Sequence, residues 1–342
     1  MRFLGTFFIA LLLFQCKTTQ VVPSQKLDEV SIAFYNVENL FDTLDNPDKN
    51  DDDFTPTGEN RYDASRYQTK LEHIERVLTA MGQPEVVGLC EVENKEVVQD
   101  LVKTGALADF PYEVIHFESP DERGIDNALI YRTDKFKVLS SEFIRIVFPD
   151  DMEEDATRDV LVVRGQFSNE KDILLLVNHW PSRRGGAEAS EPKRVFVAGE
   201  IMKNLDTISK QYENIPVLLM GDFNDEPQNN SIYKTLGAIA PAEKPEPKQF
   251  YNLFLPMDLE DKGTYNYRGN WNMMDQIIVT GNLVSGQSGY IVKEPQIFSR
   301  DWMFYEDKKY GPVPSKTYGG PNYYGGYSDH LPVMVKVEVL GR

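Results

Sequence analysis

Two cysteines among 342 residues leave almost no disulfide chemistry to this chain. Cys16 closes an apolar leader, and Cys90 sits in Val86-Val87-Gly88-Leu89-Cys90, which reads as a buried strand. With Cys16 removed or lipidated, no bridge can form within the mature chain, so the core alone must carry stability. Positive charge is also scarce: 36 Lys and Arg face 54 Asp and Glu, for a net charge of −18. That excludes affinity built on clustered basic side chains. It leaves open an enzyme that binds a polyanion weakly behind screening cations, and its plainest consequence is solubility. No repeat period is visible. The leader run Phe3–Phe14, broken by Gly5 and Thr6, is too short to span a bilayer as a mature helix.

Arg2 and this run, followed at once by Cys16, resemble a bacterial lipoprotein signal, with Gln15 departing from the usual small residue. A plain secretory signal is the alternative, and both predict export. Residues 1–16 are then the signal segment, 17–27 a polar linker, and 28–342 one domain. A lipid on Cys16 would tether the protein to a membrane face, periplasmic or at the cell surface. A monomer is expected, with no protein partner.

Hydrophobic and aromatic content (41% and 11%) suit a globular fold. Tyr67, Leu71, Ile74, Val77, Leu78 and Met81 recur at helical spacing, so a helix is predicted over 63–82, capped by Asp63 or Ser65. Further helices are expected at about 94–107 and 191–208. Strands are expected at 31–36, 86–90, 112–117, 128–132, 136–147, 160–167, 173–178, 217–220, 275–280 and 331–339. This mixture argues for an α/β (α+β) domain with a sheet-on-sheet core. Asp51-Asp52-Asp53 lacks the Gly and terminal Glu of a calcium loop and reads as solvated.

One pattern recurs: a hydrophobic strand meets polar residues at its end. The first strand leads into Asn36-Val37-Glu38-Asn39, and the second into Glu91. Ile173–Val177 leads into Asn178-His179-Trp180-Pro181, and Val217–Met220 into Gly221-Asp222-Phe223-Asn224. The last strand begins at Asp329-His330. Strand ends are rigid, and such groups can converge on one sheet edge. Glu91, Asp222 and Asp329 offer carboxylates, and Asn36 and Asn224 amide oxygens, to a hard cation. Taken singly each has a bland explanation, such as a turn, a strand terminator or a helix cap.

The set, in order, resembles the endonuclease/exonuclease/phosphatase superfamily, whose best-known branch is deoxyribonuclease-I-like. The matching segments are Tyr35–Leu40, Leu89–Val92, Asn127–Arg132, Val177–Trp180, Gly221–Asn224, Met274–Ile278 and Ser328–Pro332. The resemblance implies a four-layer α-β-β-α sandwich, two packed mixed β-sheets flanked by helices. It implies Mg²⁺, or Mn²⁺ or Ca²⁺, held by Glu91 with Asn36 and Asp329. Asp222 and Asn224 would hold the attacking water and a phosphate oxygen. His330 would be the general base, oriented by Asp275. His179 would protonate or steady the leaving oxygen, with Glu118 as its carboxylate partner. Of the other two histidines, His73 is expected to be exposed and His116 structural.

Arg183 and Arg123 are phosphate contacts or solvated loop residues. The Tyr-rich segments 265–271 and 302–327 either stack on substrate rings or pack their own loops. The leading functional reading is an exported, metal-dependent phosphodiesterase, an endonuclease on DNA or RNA. The second is a phosphatase or phosphodiesterase for phospholipid head groups or inositol phosphates. A non-catalytic surface binding protein is the third, opposed by the filled motif positions.

Overall fold

The computed structural model describes residues 26–150, 152 and 156–341. The signal segment and most of the linker lie outside the described residues. Lys26 and Leu27, read as linker, already belong to the first strand.

Strands are the commonest regular element among the described residues. In order they are β1 (Lys26–Leu40), β2 (Val86–Val92), β3 (Tyr112–His116), β4 (Asp126–Arg132), β5 (Lys137–Ile144), β6 (Val160–Gln166), β7 (Asp172–His179), β8 (Val217–Asp222) and β9 (Phe250–Asn252). There follow β10 (Tyr265–Tyr267), β11 (Asn270–Asn272), β12 (Asp275–Thr280), β13 (Tyr290–Ile297), β14 (Phe304–Asp307), β15 (Gly311–Pro314), β16 (Tyr318–Gly319), β17 (Asn322–Tyr323) and β18 (Val333–Leu340). One six-stranded sheet runs β13-β18-β1-β2-β4-β3, the other β5-β6-β7-β8-β12-β9. Each is antiparallel except for one parallel pair, β1/β2 in the first and β7/β8 in the second.

The two sheets pack face to face. Period-two alternation splits each strand between layers: Val30, Ile32 and Phe34 of β1 enter the inter-sheet core with Val177, Met220 and Ile277 of the other sheet. Ala33, Tyr35 and Val37 point the other way, to helices α1 (Ala64–Ala80) and α2 (Lys95–Val102). Helix α3 (Ala187–Gln211) covers the outer face of the second sheet through Val197, Ala198, Ile201 and Leu205. The four-layer sandwich is thus as expected. Gly88 lies where the sheets come closest: an added Cβ would stand 3.0 Å from Met220 Sδ and 3.1 Å from Val177 Cγ1.

Asp63 caps α1, accepting from Ser65 N and Arg66 N at 3.1 and 3.0 Å. Helix α3 starts at Ala187, four residues before the predicted Glu191, so Pro192 lies inside it. The Tyr-rich segments, expected as loops, form the hairpins β10/β11, β14/β15 and β16/β17. Strand β13 was not anticipated, because Lys293, Glu294 and Gln296 break its apolar pattern. Asp51 is buried rather than solvated and accepts from Asn46 N.

Candidate active site

Register assembles the centre. Strands β7 and β8 run parallel with Asn178 opposite Gly221 and His179 opposite Asp222. Strand β12 runs antiparallel to β8 with Asp275 opposite Asp222. Asp222 therefore sits between His179 and Asp275 on one sheet edge. The close approach needs Gly221, since a Cβ there would lie 2.4 Å from Asn178 O. Around it, Trp180 packs edge-on against Phe223 at 4.8 Å, and Asn178 Oδ1 accepts from Trp180 Nε1 at 3.2 Å.

The first sheet supplies the facing groups. A bulge between Asn36 and Leu40 of β1, matched between Cys90 and Val92 of β2, turns the backbone outward. Glu38, Asn39 and Glu91 all have φ between 53° and 60°, a left-handed conformation unfavourable for such side chains. Glu91 Oε2 accepts from Asn39 N at 3.1 Å, while Oε1 faces His179 Nε2 at 3.8 Å. Ser328 Oγ donates to Asn36 O at 2.7 Å and accepts from His330 N at 3.0 Å, so the strand entering β18 is fastened to β1.

His330 Nδ1 meets Asp275 Oδ2 at 2.7 Å. Its Nε2 lies 3.7 Å from Asp222 Oδ2, the oxygen that His179 Nε2 approaches to 3.8 Å. Two imidazoles thus flank one carboxylate oxygen. Burial lowers the His330 pKa, but the Asp275 and Asp222 carboxylates outweigh it and hold the ring protonated well above its usual range. His179 goes the other way: burial, then the positive charges of Arg158 and Arg123, keep it neutral. Burial raises Asp222 to about 6. In its protonated form His330 can donate to a phosphate oxygen.

Eight predicted residues meet here: His179, His330, Asp222, Asn224, Asp275, Glu91, Asn36 and Asp329. Asn36 is bonded through both side-chain polar atoms. Its Oδ1 accepts from Glu38 N and its Nδ2 donates to Asp222 Oδ2, both at 3.0 Å, so it also positions Asp222, while Oδ1 keeps a second lone pair. Asn224 N donates to Asp222 Oδ1 at 2.9 Å, and its Nδ2 to Trp180 O at 3.0 Å.

Three predicted residues lie at the margin of the centre or beyond it. Glu118 does not partner His179, whose buried Nδ1 has no hydrogen bond; its carboxylate lies 3.9 Å from His116 instead. Arg183 donates to Asn224 O at 2.8 Å and Asn229 Oδ1 at 2.9 Å, bracing the Asp222–Asn230 loop rather than presenting a free fork. Arg123 is half exposed and leans toward Asp121 at 4.0 Å. His73, expected exposed, is half-buried and stacks on Tyr327.

Sequence reasoning missed other members. Lys70 is buried in α1, donating from Nζ to Thr317 Oγ1 at 2.7 Å and Tyr327 O at 2.9 Å. Glu38 accepts from Thr317 N at 2.6 Å, and burial followed by Asp329 raises its pKa to about 7. Arg158 is buried, bonded to Asp121 Oδ2 at 3.0 Å and Trp180 O at 2.7 Å. No local signal marks Lys70, since a Lys within an amphipathic helix normally faces water. The donor set fits a hard cation. Burial, with Glu91, pushes the Asp329 pKa up against the opposing charges of His330, Lys70 and Lys316, so the Glu91 and Asp329 carboxylates lie close enough to act on one another.

The profile of the endonuclease/exonuclease/phosphatase family matches residues 31–339. The chain belongs to this family. It is accordingly a metal-dependent phosphoester hydrolase. Solved structures share the fold. One is a family member from Bacteroides thetaiotaomicron, 18% identical over 92% of this chain and 96% of that one, with a TM-score of 0.56. A mannosyl-6-phosphatase from the same organism is 16% identical over 90% and 99%, TM-score 0.56. The human nocturnin catalytic domain with bound sulfate is 16% identical over 91% and 94%, TM-score 0.55. No curated protein matches the chain by sequence.

Proposed function

We propose that the protein is an exported endonuclease hydrolysing DNA or RNA, held at a membrane face by a lipid on Cys16. The observation that carries the chemistry is Asp222 Oδ2 set between His179 and His330. With a pKa of about 6, Asp222 can take a proton from water near neutral pH. Protonated His330, steadied by Asp275, donates to the phosphoryl or leaving oxygen. Neutral His179 orients a second oxygen, and Asn224 holds the loop. Glu91 and Asp329 would hold Mg²⁺ or Mn²⁺, which neutralises phosphate charge when bound.

The nucleic-acid reading is supported by the hairpins beside His330. Tyr265 lies over its ring at 4.8 Å. Beyond it Tyr267 and Tyr305 are exposed, with Arg268 over Tyr267 and Lys309 over Tyr310. Exposed rings with cations suit stacked bases. The net charge of −18 favours a smaller substrate, and a sugar phosphate, inositol phosphate or lipid head group is the second reading.

Supercoiled plasmid, RNA, mannose 6-phosphate, inositol phosphates and sphingomyelin, assayed in parallel with Mg²⁺ and with EDTA, decide between them. Plasmid nicking or RNA cleavage that stops in EDTA is expected. Inorganic phosphate release without nucleic-acid cleavage would establish the second reading, and EDTA-resistant turnover would sink both.

A further inference from the structure

We infer that His116, Glu118 and Asp126 form a second metal site, suited to a transition ion such as Zn²⁺ or Mn²⁺ and separate from the catalytic centre. The hairpin β3/β4 dictates the grouping. His116 pairs with Ala128 across the ladder. The ladder ends at that pair, and Glu118, two residues past the strand, comes near Asp126 where β4 begins. One ligand atom from each of the three lies within 4.8 Å of the others.

The inner pair carries the inference. The His116 and Asp126 side chains are only 3% and 2% exposed. His116 Nε2 and Asp126 Oδ2 stand 3.2 Å apart, yet neither has a hydrogen-bond partner. Buried polar atoms are rarely left so. Two ligands each about 2.1 Å from one Zn²⁺, at a tetrahedral to octahedral angle, stand about 3.0–3.4 Å apart. The separation therefore fits a shared ion, where hydrogen-bond alignment fails. Asp126 Oδ1 is already engaged, accepting from Ser119 N at 2.9 Å, which fixes the carboxylate with Oδ2 turned to the imidazole. Glu118 is 61% exposed, with Oε1 3.9 Å from His116 Nδ1, and would have to rotate toward Nε2 to serve as the outer ligand.

One imidazole with two carboxylates favours Zn²⁺ or Mn²⁺ over Ca²⁺, which takes oxygen ligands throughout. Among the described residues, no hydrogen bond or ion pair joins these three to Glu91, Asp222, Asp275 or Asp329. An ion here would clamp the 117–125 loop at both ends. That loop carries Asp121, whose bond to Arg158 leads on to Trp180 O beside His179.

The test uses metal-stripped protein with Glu91→Gln and Asp329→Asn; because Asp222, Asp275 and His330 still stand together there, only uptake that is lost with changes at His116, Asp126 or Glu118 counts for the site, and that result stands apart from the fate of the hydrolase reading. Calorimetry with Zn²⁺ should show one bound equivalent per chain. Adding His116→Gln or Asp126→Asn should weaken it at least 100-fold, and Glu118→Gln about tenfold, with circular dichroism unchanged. Should a buried variant fail to fold, Glu118→Gln and the imidazole ¹⁵N shift of His116 on Zn²⁺ addition still decide. Equal uptake with His116→Gln or Glu118→Gln, an unmoved His116 resonance, or no uptake by the folded double variant would each overturn the site.

Discussion

At the level of single residues, the centre works by setting neighbouring groups to opposite protonation states. The Asp275 carboxylate is fully buried, with Oδ2 on His330 and Oδ1 lacking a partner. Asp275→Asn keeps the shape and removes the anion that stabilises the imidazolium. The His330 pKa then falls, and the protonated form is lost at lower pH. We expect kcat to drop about 100-fold, with the alkaline arm of the pH–rate profile displaced downward. An unchanged alkaline arm would assign that limb to another group. Away from the centre, Asp159 is raised to about 6 by burial, against the partial relief of Arg145 at 3.2 Å. A raised carboxylate is protonated in the folded chain where the unfolded chain has already ionised. It therefore costs stability as pH rises from 3.8 to about 6, and the cost persists above. Asp159→Asn, which still accepts from Ile146 N, should stabilise by about 1–2 kcal/mol at pH 7.5 after allowance for solvent and Arg145, and by little at pH 3.5. Thermal melts at the two pH values check the sign.

At the level of elements, the parallel pair β7/β8 sets the position of Asp222 through a backbone contact that tolerates no side chain. In Gly221→Ala the new Cβ would stand 2.4 Å from Asn178 O and 2.6 Å from Asn178 Cβ, both on a central strand that cannot retreat without disturbing the core. We expect a loss of about 2–4 kcal/mol, read as a lower urea midpoint, and a fall in kcat larger than the change in KM, because His179 and Asp222 part. A wild-type midpoint would show that the strands have room to slide. The hairpins β10/β11 and β14/β15 illustrate a different element-level outcome. Their Tyr and Gly content reads as loop, yet short antiparallel ladders form because Tyr suits a pleated, half-buried surface. They give the site a wall on the His330 side.

At the level of the whole molecule, two six-stranded sheets and three covering helices hold together with no disulfide among the described residues, and the site occupies one edge where the ends of β1, β2, β7, β8, β12 and β18 meet. The ordered motifs were enough to place eight of the eleven candidate residues there, because each sits directly at a strand end whose apolar run is legible over a few positions. The places of Glu118, Arg183 and Arg123 stayed open because they lie on loops, where spacing carries no direction. Lys70 and Arg158 were invisible because their partners are remote: Lys70 bonds to Thr317 and Tyr327, some 250 positions along the chain.

By itself, then, the sequence determined most strands of the two main sheets, their two-layer alternation and the identity of the strand-end groups, since propensity and periodicity act over a handful of neighbours. Only the tertiary structure decided what surrounds each imidazole, that Asn36 bonds to Asp222, and that Glu118 lies near His116 and Asp126. Those outcomes follow from burial and from charges brought close by register. His330 and Asp275, 55 residues apart, acquire their meaning only when β12 and the entry to β18 meet at the sandwich edge.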